Sequence, residues 1–523
     1  MSTLTDLVEQ LLIAGAELSL TDGKPRVRAP DGVLTPDRLE LLRAHKDELV
    51  RVLPQHRFAA PMSAGQEGLW FIQTSAPDSS AYNVGVALHV ASDRDPAPVL
   101  RRALQQLVDR HLLLRARWEA VDGRPRQVFA AHRVAPLEEI DATQLREAEA
   151  LQAASAVHLR PFDLAAEGGF RAALLRRGPG AVILVLSVHH VAVDGWSIRM
   201  LGDELLRLFA ADGQANPLPP ARRTYQQFVA AQRELLATRG ESLRAAGVAA
   251  LAGAPVVLEL PTDRPRPPLQ TFRGATVQRA LDPALVAGLR ALGRAEGATL
   301  YTIFLAAFQV LLHRYSGQDD FCVGSAAALR EREELAGIFG YMVNAIVLRA
   351  QISGDDPPRF TDLLRQARSR VLDALDRQDY PFPLLAKDLL AERDPSRPPV
   401  FQVMLSYQRA QVLGEAALRL MSGATVEVGG ASFTQLPLAS TISEVDLILE
   451  ITEHADGLDL GIRHNTDLFA AATVARMAGH LEVLLAAVVA DPHARVSDLP
   501  LLTPAERDEL LVAWNRTDAP FAA

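Results

Sequence analysis

A pair of adjacent histidines, His189 and His190, is followed after three apolar residues by the dipeptide Asp194-Gly195. A neutral imidazole has a pKa near ~6.5, so it can accept a proton or hold a nucleophile in place at neutral pH. Successive residues of a strand point to opposite faces, and no third ligand lies at a usual spacing, which argues against a metal site. No Gly-x-Ser-x-Gly sequence surrounds a serine here, and Ser197 lies too close in sequence to be judged as a nucleophile. The residues alone leave two alternatives open: a general base or positioning group, and a hydrogen-bonded core pair.

The elements on either side of this cluster would fix its position. Residues 182–188 form a continuous apolar, β-branched run, which predicts a strand buried on both faces. Residues 198–208 have the pattern of a helix behind it. Gly195 allows a tight turn between the two. The sequence therefore predicts that the histidines lie where a buried strand ends and a helix begins.

Helices and strands alternate along the rest of the chain, which favours an α/β fold. The proline-rich stretch at 261–268 cannot be helical and is interpreted as the connection between two lobes. The predicted helices cover residues 225–252, 299–315 and 473–489, and the predicted strands cover 321–324, 343–348 and 400–406.

The first 55 residues have the pattern of a small separate domain. An amphipathic helix is followed by two short alternating segments around Asp22-Gly23, which predicts a β-hairpin. Thr35-Pro36 then has the pattern of an N-cap followed by proline at the first helical position, and the helix is expected to run to Val52. The result is an α-β-β-α unit over residues 1–55, with a linker at 56–61.

Three cations, Lys24, Arg26 and Arg28, alternate along the second strand of this hairpin and would share one face. One interpretation is a solvated face that guards an edge strand, which Pro25 would also mark. The other is a docking surface for an acidic, extended peptide that adds a strand to the hairpin.

Composition narrows the class of protein. The 523 residues carry 54 Lys and Arg against 63 Asp and Glu, a formal charge of −9, so the protein as a whole is not expected to bind nucleic acid. The one cysteine, Cys322, cannot form an intrachain disulfide, which favours a reducing compartment. No apolar run of membrane-spanning length and no signal peptide is recognised, so a cytoplasmic protein is expected.

The residues 189–195 match the His-His-x-x-x-Asp-Gly signature of condensation domains of nonribosomal peptide synthetases, a signature shared more loosely with chloramphenicol-acetyltransferase-like enzymes. Further segments resemble the other motifs of the family, in its order. They are Ser63 to Asn83, Arg110-His111-Leu112-Leu113-Leu114-Arg115, Thr224-Tyr225-Gln226-Gln227-Phe228, Gly340-Tyr341-Met342-Val343-Asn344, Tyr380-Pro381-Phe382 and Pro399 to Met404. The N-terminal unit resembles the TubC-like docking domains that recruit an upstream subunit.

The resemblance implies an α/β fold of two chloramphenicol-acetyltransferase-like lobes in a V-shaped pseudo-dimer. The expected ranges are 1–55 for the docking domain, 62–255 for the N-lobe, 256–499 for the C-lobe, and 500–523 for the start of a linker to an adenylation domain. The partners it implies are an upstream subunit, which binds through its C-terminal docking tail, and upstream and downstream carrier domains. No cofactor or metal is expected on this chain, because the substrates are held as thioesters on the 4'-phosphopantetheine arms of the carriers.

The resemblance also implies the roles of residues in amide bond formation. His190 would accept the proton of the attacking amine or hold the amine in line. Asp194 would pair with an arginine, identified here as Arg330, and hold the motif loop, whereas His189 would be structural. The paired-aspartate motif of heterocyclising relatives is absent, and a docking unit directly before the domain argues against epimerisation. A CoA-dependent acyltransferase and an inactive carrier-binding module remain the alternatives.

Overall fold

The computed structural model describes residues 2–21, 24–212, 217–221, 223–330, 333–352, 357–390, 392–409, 420, 423–439, 441–454 and 457–516. Two six-stranded mixed sheets, each flanked by helices, form two lobes, and a small hairpin domain precedes them. The predicted turn at Asp22-Gly23 lies outside the described residues.

The N-terminal domain packs directly on the first lobe. Its elements are α1 (Ser2–Ile13), β1 (Glu17–Thr21), β2 (Lys24–Arg28), α2 (Pro36–Ala44) and α3 (Lys46–Val52). Thr35 caps α2 as expected, by accepting from the backbone N–H of Arg38 at 3.4 Å. The single helix predicted up to Val52 is wrong: the chain leaves helical geometry at His45, so the domain is α-β-β-α-α. Its apolar side chains join the same buried cluster as those of the first lobe, so the two share one core.

The first lobe contains the strand that leads to the histidines. Its elements are β3 (Arg57–Pro61), α4 (Ala64–Ser75), β4 (Asn83–Ser92), α5 (Ala97–Arg110), a 3₁₀ turn (Leu112–Arg115), β5 (Ala116–Val121), β6 (Arg124–Ala130), β7 (Leu137–Asp141), α6 (Glu147–Leu159), β8 (Phe170–Gly178), β9 (Ala181–His189), α7 (Gly195–Ala210) and α8 (Tyr225–Ala250). β9 pairs with β4 on one side and β8 on the other, which explains its unbroken apolar sequence.

The second lobe has its own core and its own sheet, in the order β10-β17-β16-β13-β11-β12. The elements that follow α8 are β10 (Gly274–Ala280), α9 (Pro283–Glu296), α10 (Leu300–Ser316), β11 (Asp320–Ala328), α11 (Glu333–Ala336), β12 (Val343–Gln351), α12 (Phe360–Leu375), α13 (Phe382–Leu389), β13 (Val403–Arg409), β14 (Val426–Val428), β15 (Ala431–Leu436), β16 (Leu447–Glu453), β17 (Leu458–Asn465), α14 (Ala471–Ala490), α15 (Pro504–Asp508) and a π-helical turn (Glu509–Ala513).

Two segments do not follow the predicted domain ranges. Residues 57–61, expected as linker, form β3, which pairs antiparallel with β6 in a three-stranded sheet with β5. β14 and β15 lie within the range predicted for the C-lobe, but β15 pairs with β4 and extends the sheet of the N-lobe. The ring of Phe433 on β15 is fully buried against Phe209. This apolar contact stabilises the attachment of β15 to the sheet of the N-lobe.

One helix of the described part, α14, is long and apolar enough to cross a membrane by length and composition, contrary to the expectation that the chain has no apolar run of that length. Half of its most apolar window is buried inside the protein. Val474, Leu481 and Leu485 of this helix have no exposed surface and belong to the core of the second lobe. The helix is therefore accounted for as a core element.

Candidate functional site

His190 is held by two backbone carbonyls at the end of β9. Its backbone N–H donates to the carbonyl of Tyr82 at 2.7 Å, and the Nδ1 of its ring lies 2.9 Å from the carbonyl of Val193. A carbonyl only accepts, so Nδ1 carries the proton and Nε2 is left with a lone pair. The side chain is half-buried, and no residue of the described chain forms a hydrogen bond with Nε2. His190 therefore presents a basic nitrogen that remains available to a substrate.

His189 faces the opposite direction and is enclosed. It has no exposed surface, its Nδ1 accepts from the N–H of Val191 at 3.1 Å, and its Nε2 lies 3.2 Å from the side-chain oxygen of Gln73. Burial lowers the pKa of His189 to about 3, with the neighbouring His190 as a second cause, so the ring stays neutral. Both nitrogens are used within the fold, which leaves this ring no atom for a substrate.

Asp194 does not contact the imidazole of His190; it connects the start of α7 to the second lobe. One carboxylate oxygen caps the helix by accepting from the N–H of Ser197 at 2.9 Å. The other accepts from the guanidinium of Arg330 and from the N–H of Met342 at 2.9 Å. The side chains of Asp194 and Arg330 are 0% and 2% exposed, so this ion pair is buried. Its geometry makes it a bond between lobes rather than an orienting partner of the imidazole.

The loop that carries Arg330 is fixed by further hydrogen bonds that the sequence analysis did not anticipate. The second guanidinium nitrogen donates to the carbonyls of Ile338 and Gly340 and to the hydroxyl of Ser197. A Cβ atom on Gly340 would lie 2.1 Å from the ring of Tyr225, so this position requires glycine. Ser197 is fully buried in this network and is therefore a structural residue, not a nucleophile.

Aromatic rings form the surroundings of His190. The rings of Tyr82 and Tyr341 meet the imidazole edge-on, with centroids at 6.4 and 5.7 Å. Gly65 permits the close approach of Tyr341, because a Cβ atom there would lie 2.8 Å from that ring. Tyr341 and Tyr82 belong to segments that resemble family motifs, but no pattern in the sequence indicated that both rings contact the same imidazole.

The three cations of β2 do not share one environment. Lys24 and Arg26 are exposed, whereas Arg28 is half-buried. The guanidinium of Arg28 donates to the carbonyl of Leu218 and lies 3.7 Å from the carboxylate of Glu17. Lys24 and Arg26 are therefore the two cations of this strand that face solvent.

The described residues contain no cluster of three or more His, Cys, Asp or Glu side chains that could hold a metal ion. The chemistry that the site can support is thus that of an imidazole with a free Nε2 in an aromatic, half-buried setting. Such a nitrogen can accept a proton from an amine or orient the amine through a hydrogen bond.

Comparisons with known proteins identify the family to which the chain belongs. A model of the condensation domain family matches residues 57–511, and a model of the TubC N-terminal docking domain matches residues 4–55. The chain is 36% identical over 471 residues to a linear gramicidin synthase of Brevibacillus parabrevis, covering 88% of this chain and 9% of that protein. It is 34% identical over 470 residues to phosphinothricin tripeptide synthetase PhsB of Streptomyces viridochromogenes, covering 88% of this chain and 38% of that protein. The chain thus spans about a tenth of the gramicidin synthase.

Solved structures share the fold. A four-domain nonribosomal peptide synthetase bound to AMP and glycine superposes with a TM-score of 0.79 at 23% identity, over 86% of this chain and 35% of that one. The first condensation domain of the calcium-dependent antibiotic synthetase, in complex with a substrate analogue, gives 0.67 at 21% identity, over 85% of this chain and 99% of that one. The predicted acetyltransferase-like fold is confirmed.

The matched segments define both the family and its general mode of action. Condensation domains act on substrates held by carrier domains, and a docking domain implies a partner synthetase subunit. The chain belongs to the condensation domain family of nonribosomal peptide synthetases, which catalyse amide bond formation, and it bears a TubC-type docking domain in front.

Proposed function

We propose that this chain joins an acyl group from an upstream carrier domain to the α-amine of an aminoacyl group on a downstream carrier domain. Both substrates would be thioesters of 4'-phosphopantetheine. The amine nitrogen forms a bond to the thioester carbonyl carbon, the C–S bond breaks, and the proton lost by the amine ends on the leaving thiol. An adenylation domain would follow the linker that begins at residue 500, and the expected setting is the cytoplasm.

The free Nε2 of His190 is the observation that carries this proposal. Its Nδ1 proton is committed to the carbonyl of Val193, so the imidazole has the tautomer that can accept a proton from an amine. General base catalysis contributes about 10²–10⁴-fold, and alignment of two tethered reactants can contribute more. Both contributions require the nitrogen to be held where the amine arrives, and the two hydrogen bonds of His190 to backbone carbonyls fix its position.

A single-turnover assay tests the proposal. The chain is incubated with one carrier domain loaded with an acyl thioester and a second loaded with an aminoacyl thioester, and the products are identified by mass spectrometry. We expect the amide on the downstream carrier. Transfer from an acyl-CoA in the absence of carriers would instead indicate a CoA-dependent acyltransferase. Tight binding of both loaded carriers without any amide would indicate a carrier-binding module.

The docking domain is proposed to bind the acidic C-terminal tail of an upstream subunit through the exposed cations of β2. Changing Lys24 and Arg26 to glutamate should weaken binding of an acidic peptide, most clearly at low salt, because exposed charges are screened as salt rises. Isothermal titration calorimetry at two salt concentrations measures this effect.

Arg28 supplies the comparison for that experiment. Its guanidinium is already used by Glu17 and the carbonyl of Leu218, so Arg28→Gln should change peptide affinity less than the reversal of Lys24 and Arg26. Unchanged affinity after reversal of Lys24 and Arg26 would place the peptide on another surface.

A further inference from the structure

Two phenol hydroxyls beside His190 have no hydrogen-bond partner in the described chain. Tyr82 precedes β4 of the first lobe and Tyr341 precedes β12 of the second, and both rings meet the imidazole edge-on. Both side chains are half-buried, and no residue that the structure describes forms a hydrogen bond with either hydroxyl. Neither oxygen is sealed from solvent. The site therefore combines an unused acceptor, Nε2 of His190, with two unused donors.

Both phenols are protonated at neutral pH. Burial raises the pKa of Tyr341, with the carboxylate of Asp194 as a second cause. Burial also raises the pKa of Tyr82, and the nearby Glu444 and Tyr341 add to this rise. A protonated phenol offers one O–H donor, so each hydroxyl can donate where the neutral imidazole can only accept at Nε2.

The position of Tyr341 is fixed although its hydroxyl is unused. Its carbonyl accepts from the hydroxyl of Tyr225 at 2.8 Å, and the N–H of the next residue, Met342, donates to the carboxylate of Asp194 at 2.9 Å. A Cβ atom on Gly65 would lie 2.8 Å from the ring of Tyr341, so the ring packs directly against the backbone of α4. A donor that is already held in place can stabilise developing charge without reorganisation.

Tyr341 is the better placed of the two phenols. Its ring centroid lies 5.7 Å from that of the His190 imidazole, against 6.4 Å for Tyr82. The ring of Tyr82 also contacts the rings of His189 and Phe272, at 6.3 and 6.2 Å. Tyr341 is thus the donor that the structure holds nearest to the basic nitrogen.

Amide formation from a thioester requires a donor at the carbonyl oxygen. When the amine attacks, this oxygen becomes an oxyanion, and one donor aimed at it contributes about 10²–10³-fold to the rate. The cation of the neighbouring network, Arg330, does not supply it. Both of its terminal nitrogens already donate, to Asp194, to Ser197 and to backbone carbonyls.

We propose that the hydroxyl of Tyr341 donates a hydrogen bond to the oxyanion that forms when the amine attacks the upstream thioester; this inference rests on the proposed function. The amine nitrogen forms a bond to the carbonyl carbon, the π-electron pair moves to the oxygen, and Nε2 of His190 takes the amine proton. When the oxyanion collapses, the C–S bond breaks and the proton passes from His190 to the thiolate. Tyr341 keeps its own proton throughout.

The first test removes only the hydroxyl. Tyr341→Phe keeps the ring and should lower the single-turnover rate of amide formation by about 10²–10³-fold, with unchanged affinity for both loaded carriers. The melting temperature should not fall, because the hydroxyl has no partner in the described chain. Tyr341→3-fluorotyrosine has a more acidic phenol, which is a stronger donor, and should retain the rate. An unchanged rate in Tyr341→Phe, or an equal loss in both variants, would reject the proposal.

A second tyrosine provides the matched control. Tyr315 in α10 is also half-buried, but its hydroxyl lies 2.8 Å from Nδ1 of His480 in the second lobe. Tyr315→Phe should therefore lower the melting temperature and leave the rate unchanged. A similar loss of rate in Tyr315→Phe and Tyr341→Phe would indicate a general effect of removing a phenol and would contradict the role of Tyr341.

A tetrahedral anion provides a readout that needs no amide product. In the S-pantetheine ester of methylphosphonic acid, an anionic tetrahedral phosphorus replaces the thioester carbonyl carbon; S-acetylpantetheine is the uncharged counterpart. Calorimetry should show that Tyr341→Phe binds the phosphonate about tenfold more weakly and S-acetylpantetheine equally well, because a hydrogen bond to a charged group is lost.

These measurements keep the two proposals distinguishable. Weaker binding of the phosphonate by Tyr341→Phe, in a chain that forms no amide between carriers, would support the oxyanion donor and reject the proposed function. Amide formation at the full rate by Tyr341→Phe would support the proposed function and reject the role of Tyr341. No amide and no binding of the phosphonate by the unmodified chain would reject both.

Discussion

The change His190→Asn is expected to lower the single-turnover rate of amide formation by about 10²–10⁴-fold, the usual contribution of a general base. The shorter amide can still donate to the carbonyl of Val193, which now binds Nδ1, but it places nothing at the position of Nε2. The variant should therefore fold normally and bind loaded carriers. Rapid-quench mass spectrometry of the downstream carrier measures the rate.

A second histidine provides the control for this experiment. His89 lies in β4 of the same sheet, is half-buried, and has no role in the site, so His89→Asn should leave the rate unchanged. An unchanged rate in His190→Asn would remove His190 from the mechanism. A loss that is restored by raising the pH would identify proton acceptance as its contribution, whereas a loss at every pH would identify positioning.

Removing one partner of the buried Asp194–Arg330 pair should lower the free energy of unfolding by about 3–5 kcal/mol, because the other charge is left buried without compensation. Asp194→Ala also removes the cap of α7 and the acceptor for the N–H of Met342. Urea denaturation followed by circular dichroism measures the loss. The double variant Asp194→Ala with Arg330→Ala should be less destabilised than the sum of the two single changes.

An exposed ion pair provides the control for this stability measurement. Arg223 and Glu334 are 45% and 48% exposed at a distance of 3.1 Å, so Glu334→Gln should change stability by less than about 1 kcal/mol. Additive effects of Asp194→Ala and Arg330→Ala would show that the two side chains do not depend on one another, contrary to the buried contact.

The local elements of the site could be predicted from the sequence. The apolar run at 182–188 and the helical pattern behind it predicted β9 and α7 within a few residues, because a strand buried on both faces has a distinctive composition. Arg330 could be named as the partner of Asp194 only through the resemblance to a family, since nothing in the local sequence relates two residues so far apart. The structure places their side chains in contact.

Features that depend on tertiary contacts could not be predicted. β15 has an ordinary strand sequence, and only its pairing with β4 assigns it to the other lobe. The break at His45 interrupts a pattern that the sequence alone extends without interruption.

The docking domain and the N-lobe share one core, which limits where a chimeric synthetase can be joined. A cut at residue 55 would separate Leu11 and Leu18 from the apolar side chains of the same cluster in the N-lobe, such as Leu104 and Leu113. It would also divide the ion pair between Glu17 and Arg110. In a recombinant synthetase, the docking domain and the N-lobe should therefore come from the same parent protein. The crossover point should lie outside these two units.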